Sequence, residues 1–277
     1  MKYYGYPYMG SKRKIVKDII DALPTAKNFY DLFAGGCAVT HYALGSGKYK
    51  NVIANDIQSS VQLFIDAVGG KYKNEKRWIS REQFHAEKAT DLYIRWIWSF
   101  GNNGSDYLFG KDAESLKKSA HEYLFKNGYD GTKEKRIALI KQFKADKKII
   151  GRFELERLEQ LERLQQLERL ERLRQLEYFN VDYRKVKIEP RSIIYCDPPY
   201  PHKGNTKEKY YGIGFDTDAF YKWVAENKHP VYFSSVEAPK RFKVVWSKAT
   251  QCTMNNKNSH GKKEIVERLY WNGVLCT

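Results

Sequence analysis

Cysteine is scarce in this sequence, and its distribution excludes several kinds of site. The 277 residues contain 4 cysteines, Cys37, Cys196, Cys252 and Cys276, which show no paired spacing. Neither a zinc-binding pattern nor a disulfide framework follows from such positions. We therefore expect no metal site and a reducing, cytoplasmic location.

Long apolar stretches are also missing. No apolar run reaches the ~20 residues that a membrane helix needs. Residues 1–7 lack the apolar core of a secretory signal. The sequence thus predicts a protein that has no membrane partner.

Acidic residues are few compared with basic ones. The chain has 33 Asp and Glu against 49 Lys and Arg, which gives a formal net charge of +16. This surplus predicts attraction to polyanions, nucleic acids first, although basic charge also serves solubility. The many aromatic residues suit base stacking as well as a core.

The most informative motif is an apolar stretch that ends in an acid, two prolines and an aromatic ring. Residues 193–196 are typical of a buried strand, which must end by Pro198 because proline cannot donate to a sheet. Asp197 is then expected at the carboxyl end of a strand, where open α/β sheets bind ligands. Asp197 and the Pro198 carbonyl suit the two hydrogens of an exocyclic amine, and Tyr200 suits stacking on a base. The alternative is a rigid turn with a surface acid.

A second set of motifs indicates a nucleoside site. A predicted strand at residues 28–32 is followed by small residues at 34–36 and a helix. A predicted strand at residues 52–56 ends in Asp56, about twenty residues past the turn, where βαβ units place the acid that binds ribose. The turn lacks Gly-x-Gly-x-x-Gly, which argues against a dinucleotide.

The segment of residues 70–152 carries half of the positive surplus, with 19 Lys and Arg against 11 Asp and Glu. A polar turn at residues 101–106 lies between aromatic clusters, and its asparagines suit adenine edges in a DNA groove. The alternative is an Asn-Gly turn on a helical subdomain. Lysines of this segment suit phosphate contacts. The candidate DNA-binding residues are Asn102, Asn103, Ser105, Tyr107, Lys111, Lys117 and Lys118.

Leucine recurs with a period of three through residues 155–176, among strong helix formers. That period differs from 3.5 and 3.6, so the leucines would rotate around a straight helix and would not form one coiled-coil seam. We expect a helix between domains, with a compact solenoid as the alternative.

The order of strands and helices predicts an α/β fold with a mostly parallel sheet. Further strands are predicted at residues 231–235, 242–246 and 268–271, with a helix starting near residue 216. The basic segment and the leucine repeat would interrupt the sheet domain. The predicted boundaries divide the chain into residues 1–69, 70–152, 153–176 and 177–277.

Taken in order, the motifs resemble the Dam-type DNA adenine N6-methyltransferases, and the bacteriophage-encoded branch most of all. The motifs are Tyr8-x-Gly10-Ser11-Lys12, Asp31-Leu32-Phe33-Ala34-Gly35-Gly36, Asp56, Asn180-x-Asp182-Tyr183 and Asp197-Pro198-Pro199-Tyr200. The resemblance covers nearly the whole chain outside the leucine repeat. It implies a Rossmann-like methyltransferase fold with an inserted, mainly helical target-recognition domain at residues 70–152.

The resemblance also implies the reaction and its residues. The protein would transfer a methyl group from S-adenosylmethionine to N6 of a flipped adenine in double-stranded DNA. Tyr8 and Lys12 match the motif at the methionyl end of the cofactor, Asp56 the ribose-binding acid and Asp182 the acid near the cofactor adenine. The catalytic residues implied are Asp197, Pro198, Pro199 and Tyr200. The cofactor-binding residues implied are Tyr8, Lys12, Asp31, Phe33, Ala34, Gly35, Cys37, Asp56, Ile57, Asp182, Tyr183 and Asp197.

One departure from the family pattern concerns Cys37, which stands where the last glycine of the Phe-x-Gly-x-Gly loop is usual. If this position has a positive φ, the cysteine is strained, and cofactor binding would weaken. Cys196 precedes the Asp-Pro-Pro-Tyr motif but is expected in the core, so it is not a candidate nucleophile.

Other readings remain open from the sequence. The same amine-binding geometry fits cytosine N4 or an RNA adenine. A non-catalytic DNA-binding relative and an interaction protein organised by the leucine repeat are further classes. We expect a monomer, because the chain would have to wrap DNA. The family resemblance suggests a bacterial host cell and raises the question of a restriction-modification partner.

Overall fold

The computed structural model describes residues 4–167, 176–199, 214–251 and 264–276, which belong to two compact units. The sheet unit comprises Lys12–Val61 and Leu176–Thr277, and the helical unit comprises Met1–Ser11 and Gln62–Gln175. The chain therefore passes between units after residues 11, 61 and 175, whereas the sequence suggested boundaries at 69, 152 and 176.

One sheet of seven strands organises the described part of the sheet unit. In chain order the strands are β1 (Ala26–Asp31), β2 (Tyr49–Asn55), β3 (Glu177–Phe179), β4 (Ser192–Cys196), β5 (Val231–Ser235), β6 (Lys243–Gln251) and β7 (Glu264–Trp271). Their order across the sheet is β3-β2-β1-β4-β5-β7-β6. Neighbours from β3 to β5 are parallel, and β7 is antiparallel to both β5 and β6. The predicted α/β fold with a mostly parallel sheet is confirmed.

Helices precede, connect and follow these strands. In chain order the described α-helices are α1 (Val16–Ala22), α2 (Ala38–Gly45), α3 (Ser60–Val68), α4 (Arg81–Glu87), α5 (Leu92–Ile97), α6 (Lys111–Lys126), α7 (Lys133–Asp146), α8 (Glu156–Gln166) and α9 (Thr217–Glu226). The helix predicted at residues 13–23 begins with a separate 3₁₀ turn, Lys12–Lys14, before α1. Among the described residues, no helix combines the length and apolar composition needed to cross a membrane.

Strand β4 lies at the centre of the core. Ile193, Ile194, Tyr195 and Cys196 are each 0% exposed, which explains the continuous apolar run of a strand buried on both faces. Burial also raises the pKa of the Cys196 thiol well above its ordinary value. The strand ends at Cys196, so Asp197 lies just beyond the carboxyl end of β4 and outside the sheet.

Helix α8 accounts for the first part of the leucine repeat. Leu158, Leu161 and Leu164 are at most 1% exposed, and successive leucines lie about 60° apart around the helix axis. They therefore bury a broad arc of the helix, which packs against α5 and α7 within the helical unit. Leu170 and Leu173 lie outside the described residues.

Charged residues of α8 are buried beside the leucines. Glu162 Oε1 accepts hydrogen bonds from Arg136 Nε at 2.8 Å and from the Tyr129 hydroxyl at 2.7 Å. The guanidinium of Arg157 lies 4.4 Å from the centre of the Trp98 ring. These directional contacts fix the rotation of α8 about its own axis, because a broad arc of leucines alone would pack similarly at several rotations.

Candidate active site

Three acids meet at the carboxyl ends of adjacent strands in the sheet unit. Asp31 is the last residue of β1, Asp56 directly follows β2, and Asp197 directly follows β4. Because β1 lies between β2 and β4 and all three run in parallel, these ends share one edge of the sheet. Burial is the largest cause of the raised pKa of Asp31, and the negative charges of Asp197 and Asp56 raise it further, as expected for a cluster of acids.

The turn after β1 is tied to the end of β2. The Gly35 amide, at φ 48°, donates to Asp56 Oδ2 at 2.9 Å, and the Gln58 amide donates to Asp56 Oδ1 at 2.8 Å. Asn55 Nδ2 donates to the carbonyls of Leu32 and Val181 at 3.1 and 3.0 Å. Both carboxylate oxygens of Asp56 therefore accept a backbone hydrogen bond, which fixes the side chain against the turn after β1.

Asp31 is the most unusual of the three acids. It is 1% exposed, and its Oδ2 accepts hydrogen bonds from the Thr40 amide at 3.1 Å and hydroxyl at 2.7 Å. Its Oδ1 is buried and has no hydrogen-bond partner among the described residues. Burial raises the pKa of Asp31 to about 7, against the opposing effect of the Thr40 hydrogen bonds. A buried anionic oxygen of this kind suits a cationic ligand group.

Asp197 forms an ion pair that the sequence did not indicate. Lys12 Nζ lies 2.8 Å from Asp197 Oδ1 and 3.6 Å from Glu267 Oε1, and the three side chains are only 10–19% exposed. Pro198 is buried and Pro199 is half-buried. The predicted stacking residue Tyr200 lies outside the described residues.

The remaining predicted cofactor residues lie on neighbouring loops of the sheet unit. Asp182 caps the 3₁₀ turn Tyr183–Lys185, and hydrogen bonds from Arg184 lower the pKa of its carboxyl. The Tyr183 ring lies 5.1 Å from that of Phe33, in a cluster that includes Phe215. Ile57 is 52% exposed and directly follows Asp56.

Cys37 adopts the conformation that glycine favours. It has φ 58° and ψ 29° and is 0% exposed. Cys37 occupies the N-cap position of α2, but its side chain accepts no hydrogen bond from the amides of the first helical turn. Burial raises the pKa of its thiol well above the ordinary value, so the side chain is neutral. The condition stated for strain at this position is therefore met, at a cost of about 1–2 kcal/mol.

We expect Cys37→Val to lower the free energy of unfolding by about 2–3 kcal/mol. A β-branched side chain at this φ adds to the strain that cysteine already carries, and because Cys37 is 0% exposed, the second γ atom of valine is expected to crowd its neighbours. Urea unfolding monitored by circular dichroism measures the change. Cys37→Ala is the matched control, because it removes the sulfur at the same φ without branching. Equal losses for Val and Ala would contradict a role for backbone strain.

In the helical unit, the predicted base-reading turn uses its polar groups internally. Asn102 is 8% exposed, and its Nδ2 donates to the Trp96 carbonyl at 2.8 Å and to Gln160 Oε1 at 3.0 Å. Asn103 Oδ1 accepts hydrogen bonds from the amides of Ser105 and Asp106 at 2.8 and 3.0 Å. These contacts describe an Asn-Gly turn on a helical subdomain, the alternative raised by the sequence.

Tyr107 and Tyr8 are also packed within the helical unit. The Tyr107 hydroxyl donates to the Ile79 carbonyl at 2.8 Å, and the residue is 5% exposed. The Tyr8 ring lies 4.9 Å from Trp96. Tyr8 thus belongs to the helical unit, whereas Lys12 of the same motif begins the sheet unit.

The three predicted lysines differ in exposure. Lys111 and Lys118 are exposed on α6, and Lys118 lies 3.9 Å from Glu122. Lys117 is half-buried, with Nζ bonded to the Glu154 carbonyl and 3.3 Å from Glu156. Lys111 and Lys118 are therefore the more accessible to an external anion.

The sheet order and the acids at its carboxyl edge define a Rossmann-like α/β protein. The family described as D12 class N6 adenine-specific DNA methyltransferase matches residues 8–229. The chain belongs to this family and is an enzyme of DNA adenine methylation. No curated protein was found to match the chain. The family match ends before β5, so it does not include Glu267.

Sequence reasoning missed Thr40, Asn55 and Glu267. Asn55 had a local signal, since it adjoins Asp56 at the end of a predicted strand. Thr40 had a weaker one, because it lies in the first turn of a helix that faces the end of β1. Glu267 had none, because only the antiparallel pairing of β7 brings it to Lys12.

Proposed function

We propose that the protein transfers the methyl group of S-adenosylmethionine to N6 of an adenine that is flipped out of double-stranded DNA. The observation that carries the proposal is the group of three acids at adjacent strand ends, with Asp31 Oδ1 buried and without a hydrogen-bond partner among the described residues. Family membership supports DNA adenine methylation, and the site supports the finer steps that follow.

The residues at this edge fit a cationic nucleoside cofactor. Asp31 would accept a hydrogen bond from the ammonium of the methionyl group, next to the turn at Gly35. Asp56, at the end of β2, would accept hydrogen bonds from the ribose hydroxyls, and Asp182 would accept one from the adenine amine. When bound, S-adenosylmethionine supplies an electrophilic methyl group on a positively charged sulfur. A contact from Tyr8 stays a prediction, because this residue belongs to the helical unit.

Asp197 and Pro198 would orient the substrate. A carboxylate oxygen and the Pro198 carbonyl would accept the two hydrogens of the adenine amine and hold its lone pair in one direction. Tyr200, outside the described residues, would stack on the base. Cys196 is buried with a raised pKa, so no thiolate is present for the covalent attack that cytosine C5 methylation needs.

Nucleoside mass spectrometry tests the reaction. Double-stranded DNA is incubated with the protein and S-adenosylmethionine, digested, and compared with a reaction that lacks the protein. N6-methyladenine is the expected product. N4-methylcytosine would show that the enzyme methylates an exocyclic amine of cytosine and not of adenine. Methylation of RNA alone would show that the substrate is RNA and not DNA. Measured cofactor binding without any methylated nucleoside would instead favour the non-catalytic relative.

DNA phosphates would bind exposed lysines of the helical unit. Besides Lys111 and Lys118, a cleft of about 950 Å³ along α7 offers Lys133, Lys141 and Lys148. These three lysines are exposed and have no side-chain partner among the described residues.

The buried amides of Asn102 and Asn103 would shape the turn, so the prediction that they read bases now depends on a rearrangement of that turn.

We expect replacement of Lys133, Lys141 and Lys148 by Gln to reduce the salt dependence of DNA binding. Each phosphate contact contributes about 0.9 to the slope of log affinity against log salt, so three lost contacts lower the slope by roughly 2–3. Fluorescence anisotropy with a labelled duplex at several salt concentrations measures it. The matched control replaces Lys17, Lys187 and Lys222, exposed lysines of the sheet unit that lie beside acids. An unchanged slope in the α7 variant would show that this cleft makes no phosphate contact.

Several finer predictions stay open. They are a monomeric state, a cytoplasmic location in a bacterial host, a bacteriophage-encoded origin and a restriction-modification partner. Sizing chromatography, with and without DNA, tests the first of these.

A further inference from the structure

Two neighbouring loops of the sheet unit carry the acids proposed for the nucleoside half of the cofactor. Asp56 directly follows β2, and Asp182 lies shortly after the end of β3. Because β2 and β3 are parallel neighbours, both loops start at the same edge of the sheet. The separation of the ribose-binding acid from the adenine-binding acid therefore depends on how these two loops are joined.

Amide side chains join the two loops. Asn180 Oδ1 accepts a hydrogen bond from the Ser59 amide at 3.0 Å, and Asn180 Nδ2 donates to the Ser59 hydroxyl at 2.6 Å. Closer to the sheet, Asn55 Oδ1 accepts from the Val181 amide at 3.1 Å, and Asn55 Nδ2 donates to the Val181 carbonyl at 3.0 Å. Each asparagine thus makes two hydrogen bonds to one residue across the gap between the loops.

Ser59 benefits from these contacts because its backbone lies in the left-handed region. Its φ is 58°, a conformation that residues other than glycine rarely adopt. The residue before it, Gln58, donates its amide to Asp56 Oδ1 at 2.8 Å. A change of φ at Ser59 would reorient the chain next to Gln58 and so disturb the bond that orients Asp56.

We propose that Asn180 is a positioning residue that favours the left-handed conformation of Ser59 and thereby sets the separation of Asp56 from Asp182 for the nucleoside half of the cofactor. The inference rests on the proposed use of S-adenosylmethionine. A loop that is already ordered loses less conformational freedom when a ligand binds, which raises affinity. Asn180 acts here through the loops and does not itself contact the cofactor.

The test uses two ligands that share the nucleoside half. S-adenosylhomocysteine carries adenosine and an amino-acid ammonium, whereas methylthioadenosine keeps the adenosine and lacks the amino-acid end. Titration calorimetry measures the affinity of each variant for both ligands. We expect Asn180→Ala to lower both affinities about tenfold, because it affects the part that the ligands share. Asp31→Asn should weaken the binding of S-adenosylhomocysteine alone.

Asn51→Ala is the matched control. Asn51 is also exposed and also joins two segments of the sheet unit, since its Nδ2 donates to Asn28 Oδ1 at 2.7 Å. It lies in the first half of β2, away from the carboxyl end where Asp56 follows. We therefore expect this variant to change neither affinity.

A substitution at Ser59 separates positioning from a general loss of stability. Glycine adopts a φ of 58° readily, so Ser59→Gly should keep the turn with less dependence on Asn180. In the Ser59→Gly background, we expect Asn180→Ala to lower both affinities only about threefold. Thermal unfolding of each variant without ligand checks that the fold is kept.

Three results would count against these expectations. The inference is overturned if Asn180→Ala leaves the affinity for methylthioadenosine unchanged, or lowers it by the same factor in both backgrounds. It is also overturned if wild-type protein binds S-adenosylhomocysteine but not methylthioadenosine, because the nucleoside half then contributes too little to depend on Asn180. Wild-type protein that binds neither ligand would instead overturn the proposed use of S-adenosylmethionine.

Discussion

We expect Asp197→Ala to lower the rate of adenine methylation about 10³-fold, a loss typical of removing a group that acts in the transition state. The carboxylate would accept one of the two amine hydrogens, and no other described acid directly follows β4. Lys12 keeps Glu267 at 3.6 Å, so the variant should fold. Quantitative nucleoside mass spectrometry under single-turnover conditions measures the rate.

Asp197→Asn separates charge from shape at this position. The amide keeps one acceptor oxygen but points a donor towards either Lys12 or the adenine amine, so we expect a loss of about 10²-fold. Cofactor affinity, measured by titration calorimetry, should change much less than the rate in both variants. A loss below tenfold for Asp197→Ala would remove Asp197 from the catalytic group and leave the Asp-Pro-Pro motif with the role of a rigid turn.

The acids at the strand ends were predictable because their signals are local. An apolar run followed by an acid and prolines fixes the end of β4, and the observed strand stops at Cys196 as the prolines require. Strand β5 also matches its predicted range, because Val231, Tyr232 and Phe233 have a high propensity for strands. Parallel pairing then brings Asp31, Asp56 and Asp197 to one edge.

The partners of these acids were less predictable because they depend on long-range pairing. Lys12 meets Glu267 only because β7 is antiparallel to β5, and the alternation of residues within one strand does not reveal its neighbour. Asn102 illustrates a different limit. An amide side chain can hydrogen-bond a base edge or a buried carbonyl equally well. The sequence does not show that the Asn102 amide bonds the Trp96 carbonyl, because that contact forms only in the folded turn.

The leucine repeat shows what a periodicity can and cannot predict. A spacing of three predicted a helix whose leucines rotate around the axis, and α8 buries such a broad arc. Burial of Arg157 and Glu162 was not foreseen, because charged residues are rarely buried without a partner. Their partners, such as Arg136 for Glu162, lie on other elements of the helical unit.

We expect Asp31→Asn to weaken S-adenosylmethionine binding about 10²-fold. The variant removes the charge that would face the ammonium of the cofactor, and breaking a buried charged pair costs about 2–5 kcal/mol. In wild-type protein a bound cation favours the ionised carboxylate, whose pKa in the free protein is raised to about 7. Affinity should therefore increase with pH between 5.5 and about 7 in wild-type protein and stay flat in the variant. Titration calorimetry at several pH values measures both effects.

Although Asp31→Asn should weaken cofactor binding, it should increase the stability of the cofactor-free protein relative to wild type as pH rises. Asp31 has a folded pKa near 7, above the unfolded value of about 3.9. The folded protein therefore binds the proton more tightly, and this stabilisation is complete below about pH 4 and is lost as pH rises to about 7. Asn does not titrate. The free energy of unfolding of Asp31→Asn relative to wild type should thus increase by about 1 kcal/mol per pH unit up to about pH 7 and then level off.

Urea unfolding at pH 5, 6, 7 and 8 provides this measurement. Asp182→Asn is the matched control, since Arg184 lowers the pKa of Asp182 and leaves it ionised in both states throughout this range. Its stability difference from wild type should not vary with pH. If the Asp31→Asn difference is equally flat, Asp31 is already ionised in the free protein, and its buried oxygen must have a counter-charge. If the stability difference varies with pH as expected but Asp31→Asn leaves the affinity for S-adenosylmethionine unchanged, then Asp31 is buried with a raised pKa for a reason other than cofactor binding.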